Sequence, residues 1–373
     1  MDNIIAALEG TDRVYKIFLT IFRSLDLDIF LAAMQQPFPE LTYLQVWSID
    51  ETVPVVPDSF LGGSAPRLES LTLIGVPFPG LPKILLSATH PVALFLHNIP
   101  NSGYISPDGM VAALSTLTRL ETLLVTFYSP RSCPDTTRRR PPPSTRSVLS
   151  VLTSFDFKGV SEYLDDLVAC IDAPQLNHLS ITFFNDIVFD TPQLVRFITH
   201  TPMSKAFEKA YITLHPHAAT LSQSPTSCYE GLNVGILCKG LDWQLSSLEQ
   251  VCTSCLPPFY MLEDLYFYND LRLQPDWKDD IENRQWLELF RPFIAVKNLY
   301  LSENFASRIA PALQELVEGR TTDVLLALQN IFLKGLESPG SVQESIRQLV
   351  AARQVANHSI GISPWTDSEE GMF

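Results

Sequence analysis

The sequence predicts an α/β solenoid, in which short parallel strands alternate with helices and each unit packs against copies of itself. Residues 161–183, SEYLDDLVACIDAPQLNHLSITF, contain one such unit. Leu164, Leu167 and Ile171 recur at helical spacing. Pro174 then ends the helix, because proline cannot continue it. The next segment, Leu-x-x-Leu-x-Ile, places two apolar side chains on one face of a strand. One helix and one strand of this size cannot bury their apolar faces alone, so further copies are expected.

The copies recur along the chain as pairs of apolar residues at the fourth and sixth positions of each unit. They are Ile17/Leu19, Leu44/Val46, Leu71/Leu73, Leu94/Leu96, Leu123/Val125, Phe155/Phe157, Leu179/Ile181, Ala210/Ile212, Leu265/Phe267, Leu299/Leu301 and Ile331/Leu333. Most neighbouring copies lie 24–34 residues apart, close to the roughly 20–29 residue period of leucine-rich repeats. The longer gap before Leu265 is expected to hold one more divergent unit. The predicted fold is therefore a leucine-rich-repeat solenoid, a horseshoe of about eleven irregular repeats with a parallel inner sheet and outer helices.

The individual elements follow from apolar periodicity and from proline and glycine stops. Helices are predicted at residues 3–8, 27–36, 81–88, 106–115, 162–171, 192–199, 244–255, 284–290, 305–318 and 342–356. Besides the strands of the repeat pairs, a strand is predicted at residues 232–237, after a polar loop at residues 215–227. The solenoid is expected to span residues 1–356, and residues 357–373 are expected to form a disordered acidic tail.

Composition narrows the classes of function. The 373 residues carry a formal net charge of −15, so binding to nucleic acid or to an anionic membrane is not expected. Six cysteines in a chain of this length form no disulfide framework. The sequence has neither an apolar run long enough to span a bilayer nor a signal-peptide pattern. These features predict a cytoplasmic or nuclear protein.

Residues 129–147 interrupt the repeats with a segment rich in proline and arginine. It reads as an inserted exposed loop, part of it in polyproline II conformation. Arg138, Arg139 and Arg140 are candidates for a basic docking arm or a nuclear-localisation signal. The alternative is a solvated insertion between two repeats.

Two residue pairs have spacings that could support chemistry. Cys252 and Cys255 have the spacing of a redox or zinc pair, but they lie near the end of a predicted helix and are interpreted as core or incidental cysteines. His215 and His217 could supply half a metal site, and are interpreted as part of a polar loop. The sequence contains no catalytic or nucleotide-binding motif, so no enzymatic activity, metal or cofactor is expected.

The side chains opposite the buried pairs are the candidates for partner binding. If the fourth and sixth positions face the core, the fifth and seventh lie on the inner sheet, which is concave in a curved solenoid. Phe18, His97, Asp156 and Lys158 occupy such positions. The partner-binding candidates are the aromatic residues Trp47, Phe95, Tyr211, Tyr266, Tyr268, Tyr300 and Phe332. Tyrosine and tryptophan are frequent in interface hot spots, although strands favour aromatic residues wherever they lie. Both interpretations stay open, and the tyrosines are the strongest candidates.

Four segments resemble a known family: AAMQQPFPELTYL at residues 32–44, ITFFNDIVFDTPQLVRFI at 181–198, and residues 95–123 and 138–176. Through them the chain resembles leucine-rich-repeat proteins, many of them F-box-associated, that are greatly expanded in mushroom-forming fungi. Such proteins usually begin with an F-box, which binds the adaptor of a cullin–RING ubiquitin ligase, while the repeats select the substrate. The residues before Val14 do not match the F-box pattern. The resemblance therefore implies substrate-recognition repeats, and it leaves binding to the adaptor and cullin in doubt.

The predicted function is that of a non-catalytic protein-interaction module, which binds a protein substrate or partner on the concave face and resembles the substrate-recognition part of an F-box ubiquitin-ligase subunit. The alternative is a free-standing leucine-rich-repeat scaffold or inhibitor with no link to ubiquitin ligation. An adaptor-binding helix encoded upstream in the same reading frame would decide against the alternative.

Overall fold

The protein is a mixed α/β structure with mostly parallel strands, seen here in a computed structural model. The structure describes residues 2–50, 53–88, 90–132, 146–184, 190–205, 208–224, 231–256, 259, 261–268, 282–315, 324–334, 341–355 and 359–365. The chain forms two compact units. Unit 1 contains Met1–Phe184 and Thr191–Pro202, and unit 2 contains Asn185–Asp190 and Met203–Phe373.

Unit 1 is built around a parallel sheet. Its strands are β1 (Lys16–Ile21), β2 (Tyr43–Ser48), β3 (Ser70–Ile74), β4 (Ala93–Ile99), β5 (Thr122–Phe127), β6 (Ser147–Val148), β7 (Ser154–Gly159), β8 (Ile171–Asp172) and β9 (His178–Phe184). Its helices are α1 (Asp2–Glu9), α2 (Ser24–Ala33), α3 (Leu81–Ser87), α4 (Pro107–Leu114), α5 (Ser161–Ala169) and α6 (Pro192–Thr199). The main sheet has the order β1-β2-β3-β4-β5-β7-β9, and every neighbouring pair is parallel. Strands β6 and β8 form a separate parallel pair.

Unit 2 combines parallel strands with an antiparallel hairpin. Its strands are β10 (Lys209–His215), β11 (Ala218–Ser222), β12 (Gly231–Leu237), β13 (Asp264–Tyr268), β14 (Asn298–Leu301), β15 (Asn330–Leu333) and β16 (Gly361–Pro364). Its helices are α7 (Leu241–Gln250), α8 (Asn283–Phe290), α9 (Glu303–Glu315) and α10 (Ser341–Val355). The strand order within the unit is β12-β11-β10-β13-β14-β15-β16. Strands β10, β13, β14, β15 and β16 pair in parallel, whereas β11 is antiparallel to both of its neighbours.

The core of each unit lies between the sheet and the helices, as the repeat pattern predicts. All eleven predicted pairs of apolar residues lie in strands, and all of them are buried. In unit 1, Tyr163 of α5 packs against Phe127 and Phe157, with ring centroids 4.8 Å and 6.0 Å away. In unit 2, Phe267 packs against Trp286 and Phe290 of α8. The ten predicted helices are confirmed as well, with ends that differ by a few residues.

The all-parallel sheet is a wrong prediction for residues 209–237. The strand predicted at residues 232–237 is confirmed as β12. The predicted polar loop, however, contains β11, which pairs antiparallel with β10 and β12. His215 pairs with Ala218, so only Pro216 and His217 connect the two strands. The alternating burial of Ala219 and Leu221 stabilises this hairpin against the core.

The predicted disordered tail is wrong for residues 359–365. Gly361–Pro364 forms β16, which pairs in parallel with β15. The backbone N–H of Gly361 donates to Gln329 O at 2.7 Å, and the N–H of Trp365 donates to Leu333 O at 2.8 Å. Hydrogen bonds to the backbone of β15 thus hold residues 361–365 in place. The polar composition of this segment predicts no regular structure.

Of the predicted insertion, residues 129–132 and 146–147 lie within the described residues. Arg138, Arg139 and Arg140 lie outside the described residues. At the end of the predicted insertion, Ser147–Val148 forms β6, and Arg146 Nη1 donates to Asp172 Oδ1 at 2.8 Å. The predicted exposed loop is therefore wrong for Ser147, which lies in a strand.

Two adjacent glycines of unit 1 form a left-handed turn, where substitution by alanine is expected to be unfavourable. Gly62 and Gly63 have φ of +64° and +73°. A Cβ at Gly62 would lie 2.7 Å from Pro37 N, whereas a Cβ at Gly63 would lie 3.7 Å from its nearest neighbour, Asp58 O. We expect Gly63→Ala to lower the free energy of unfolding by about 1–2 kcal/mol through backbone strain alone. We expect Gly62→Ala to cost about 1–3 kcal/mol more, because overpacking adds to that strain. Urea unfolding of both variants measures the difference, and equal losses would contradict the structure here.

Candidate functional site

The side of the unit 1 sheet that faces away from the helices is largely uncovered. We call it the open face of unit 1. Parallel register aligns its side chains in three rows across the strands. The rows are Lys16-Tyr43-Ser70-Ala93-Thr122-Ser154-His178, Phe18-Gln45-Thr72-Phe95-Leu124-Asp156-Ser180 and Thr20-Trp47-Ile74-His97-Thr126-Lys158-Thr182. Of these residues, only Thr126 is buried. The predicted alternation of core-facing and outward-facing side chains is therefore confirmed in unit 1. The outward-facing side chains form an accessible surface and not a second buried layer.

An aromatic patch occupies the end of this face formed by β1 and β2. It consists of Phe18, Phe22, Tyr43 and Trp47. The exposed fraction is 62% for Phe18 and 40% for Trp47. Tyr43 stacks on Phe18 with ring centroids 4.6 Å apart. Phe22, directly after β1, is exposed as well. Exposed apolar side chains grouped in this way are typical of interaction sites.

A basic cluster lies farther along the same face. It consists of His97, Thr126 and Lys158 on strands β4, β5 and β7. Thr126 Oγ1 accepts a hydrogen bond from the backbone N–H of Asn98 at 2.8 Å and lies 2.9 Å from His97 Nδ1. Asn98 has φ of +54°, and the register between β4 and β5 shifts between Leu96 and Ile99. This irregularity turns the backbone N–H of Asn98 toward the threonine hydroxyl.

The neighbouring acidic residue on this face is paired with a histidine. Asp156 Oδ1 lies 3.5 Å from His178 Nε2. Lys158, by contrast, forms no ion pair with any carboxylate of the described residues. Its Nζ lies 5.7 Å above the ring centroid of Phe184. Lys158 therefore places a positive charge on this face that no direct ion pair within the described residues neutralises.

The environment of His97 favours its neutral form. Burial, and next the charge of Lys158, lower the pKa of the His97 imidazole. The folded protein then binds fewer protons here than the unfolded chain. Stability is therefore expected to fall as the pH drops below about 6.5, the pKa of an unperturbed histidine.

Replacing Lys158 tests this electrostatic coupling. We expect Lys158→Gln to raise the pKa of His97 toward its ordinary value, because the repelling charge is gone while burial is retained. The loss of stability at acidic pH should become smaller in the same variant. An NMR titration of the imidazole resonances measures the pKa. Lys16→Gln, on the same face but outside the cluster, is the control. A pKa that Lys158→Gln leaves unchanged would refute the coupling.

Unit 2 places Phe332 and three of its four predicted tyrosines in one stacked row. The ring centroids of Tyr211 and Tyr266 are 4.4 Å apart, those of Tyr266 and Tyr300 are 4.1 Å apart, and those of Tyr300 and Phe332 are 4.4 Å apart. Beside this row, Asn298 Nδ2 donates to Asp264 Oδ1 at 2.6 Å, and Asn330 Nδ2 donates to Asn298 Oδ1 at 2.8 Å. The row of rings spans four successive strands, and the row of hydrogen-bonded polar side chains spans three of them in the same register.

Trp365, directly after β16, covers the tyrosine row. Its ring centroid lies 5.9 Å from that of Tyr266 and 5.8 Å from that of Tyr300. Lys334 Nζ lies 5.4 Å from the tryptophan ring. As a result, the exposed fraction of both Tyr266 and Tyr300 is 7%. These two predicted binding residues are therefore not available at the surface of the unit.

The remaining predicted site residues are distributed between the two units. Trp47 and Phe95 lie on the open face of unit 1, where Trp47 is exposed and Phe95 is half-buried. Tyr211, Tyr268 and Phe332 pack against the cluster of Tyr266, Tyr300 and Trp365 in unit 2. His97 and Lys158 lie at the predicted inner-face positions. No pattern in the sequence predicts that Thr126 contacts His97.

The cysteine and histidine candidates show no reactive arrangement among the described residues. Cys252 is buried, and the side chain of Cys255 lies outside the described residues. Burial, and next the charge of Asp242, raise the pKa of the Cys238 thiol to about 11, so this thiol is protonated at neutral pH. His217 lines an open depression with Trp243. Within the described part of the chain, no three histidine, cysteine or acidic side chains are close enough to hold a metal ion.

Two comparisons with known proteins, one with protein-family models and one with curated proteins, found no match to this chain. The family resemblance of the four segments therefore stays a prediction. None of the helices in the described ranges combines the length and apolar character that crossing a membrane requires.

Replacing Trp365 by alanine tests whether it packs over Tyr266 and Tyr300. We expect Trp365→Ala to lower the free energy of unfolding by about 3–5 kcal/mol, because a buried aromatic side chain is lost and a cavity remains. Trp243→Ala, at an exposed tryptophan of α7, should change it by less than about 0.5 kcal/mol. Denaturant unfolding followed by circular dichroism measures both values. Similar small effects for both variants would show that Trp365 is not packed as described.

Proposed function

We propose that the protein is a non-catalytic protein-interaction module and that the open face of unit 1 is its binding surface. The exposed aromatic patch is the observation that carries this proposal. Aromatic residues dominate the energetics of protein interfaces, and exposing Phe18 and Trp47 to water is unfavourable unless a partner covers them.

We propose further that the repeats form a leucine-rich-repeat solenoid. The eleven buried pairs, the parallel pairing of strands from consecutive repeats and the helices on the opposite side of each sheet support this architecture. In such a solenoid each repeat contacts mainly its neighbours, and the strand side offers an extended binding surface. The open face of unit 1 has the position of that surface.

The link to ubiquitin ligation rests on the sequence resemblance. We propose that the module serves as the substrate-recognition part of an F-box-type ubiquitin ligase in the cytoplasm or nucleus. The observations that support an interaction module do not depend on this link. A free-standing scaffold or inhibitor would use the same face.

Affinity capture from a fungal lysate, read by mass spectrometry, tests the binding face. We expect the double variant Phe18→Ser/Trp47→Ser to recover its specific partners at least about tenfold less efficiently than the wild type, because two exposed aromatic anchors are removed. Trp243→Ser is the matched control, since it removes a similarly exposed tryptophan from a helix of unit 2.

The identity of the captured proteins tests the ligase link separately. Recovery of a cullin and its adaptor supports substrate recognition in ubiquitin ligation. A stable partner without ligase components supports the free-standing scaffold. Equal recovery by the double variant and the wild type would exclude the open face of unit 1 as the binding surface.

A further inference from the structure

We propose that the basic cluster of His97, Thr126 and Lys158 is a subsite for a carboxylate, the side chain of an aspartate or glutamate in a partner protein. This inference rests on the proposed function and names the chemistry of the partner. The partner segment would place its acidic residue on the cluster and an apolar side chain on the neighbouring Trp47 and Phe95.

Thr126 is the hydrogen-bond partner of His97 Nδ1. Its Oγ1 accepts the N–H of Asn98 and lies 2.9 Å from His97 Nδ1, and we assign the tautomer in which the hydroxyl donates to Nδ1. A neutral imidazole that accepts at Nδ1 carries its proton on Nε2. His97 thereby presents an N–H donor without carrying a charge.

Lys158 supplies the charge. Its side chain is half-buried, and no carboxylate of the described residues pairs with it. Its only neighbour with an attractive electrostatic contact in the described part is the ring of Phe184. An ammonium group with no carboxylate partner gains from an anion that forms a charge-assisted hydrogen bond with it.

The charge of the face suits an acidic partner. The whole chain has a formal net charge of −15, which repels acidic proteins in general. The open face of unit 1 instead carries two lysines, Lys16 and Lys158, and one acidic residue, Asp156, which lies beside His178. This face is therefore a local exception to the acidic character of the protein, where an acidic group can approach.

The number of charges favours a carboxylate over a phosphate group. The cluster offers one ammonium and one neutral imidazole, which match a single negative charge. A phosphate monoester carries about −1.5 to −2 charges and is usually bound by arginines. None of the residues in the three rows of the open face is an arginine.

The apolar part of the subsite lies next to the basic part. In one row of the face, Ile74 separates Trp47 from His97, so these two residues are two strands apart. With neighbouring strands roughly 4.8 Å apart, the distance along the row is about 10 Å. Phe95 precedes His97 by two residues on the same strand. Lys158 lies two strands beyond His97, so the same row places it about 19 Å from Trp47. An extended segment of about six residues spans that distance, with its acidic residue at the basic cluster and an aromatic or aliphatic residue toward Phe95 and Trp47.

Selection from a phage-displayed library of random linear peptides tests the proposal on the full chain. The targets are the wild type, Lys158→Gln, Trp47→Ala and the control Lys16→Gln. We expect peptides selected on the wild type to combine an acidic residue with a nearby aromatic or aliphatic residue. Changing that acid to its amide should weaken binding about tenfold or more, because a charge-assisted hydrogen bond is lost. Lys158→Gln should abolish the preference for the acid, and Lys16→Gln should keep it.

The outcomes separate this inference from the proposed function. Peptides that depend on Trp47 but show no preference for an acid would overturn the carboxylate subsite and leave the binding face in place. Peptides that depend on neither Trp47 nor Lys158 would overturn both. If inorganic phosphate displaced the selected peptides more readily than acetate at equal concentration, the carboxylate assignment would be wrong.

Discussion

The in-register pairing of short parallel strands is the constraint on which the rest of the structure depends. Because side chains alternate along a strand, the burial of Leu44 and Val46 against the helices places Gln45 and Trp47 on the opposite face. Register then aligns each of these residues with its counterparts on neighbouring strands. The core and the candidate binding face are therefore two consequences of one pattern.

The two units differ in how far the sheet face opposite the helices is covered. In unit 1 most of the aromatic side chains lie on β1 and β2, where Phe18 and Trp47 stay exposed, and the centre of the face mixes polar residues with Ile74, Phe95 and Leu124. In unit 2 the tyrosines occupy equivalent positions on consecutive strands, so the strand spacing itself brings their rings into stacking distance. The stacked row forms an apolar surface large enough for Trp365 to cover, and that surface becomes a small second core.

An irregularity between β4 and β5 positions the basic cluster of unit 1. The positive φ of Asn98 interrupts the regular pairing of β4 with β5. Strained backbone of this kind persists only where surrounding contacts hold it, and here Thr126 holds it through the N–H of Asn98. The same hydroxyl contacts His97, so one threonine connects the backbone irregularity to a titratable side chain beside Lys158.

The local sequence pattern predicts the elements and the faces of the strands. The eleven apolar pairs and the ten helices follow from periodicities within short windows, and so does the position of Trp47 and Phe95 opposite the core. Local patterns carry this information because each repeat buries its own pair in the same way.

Only the tertiary structure decided the contacts between residues that are distant in the chain. The hairpin of β10 and β11, the pairing of β16 with β15 and the burial of Tyr266 and Tyr300 under Trp365 could not be predicted from the sequence. The same holds for the contact between His97 and Thr126. The physical reason is that an alternating pattern specifies which face a side chain occupies, whereas its exposure depends on which distant segment packs onto that face.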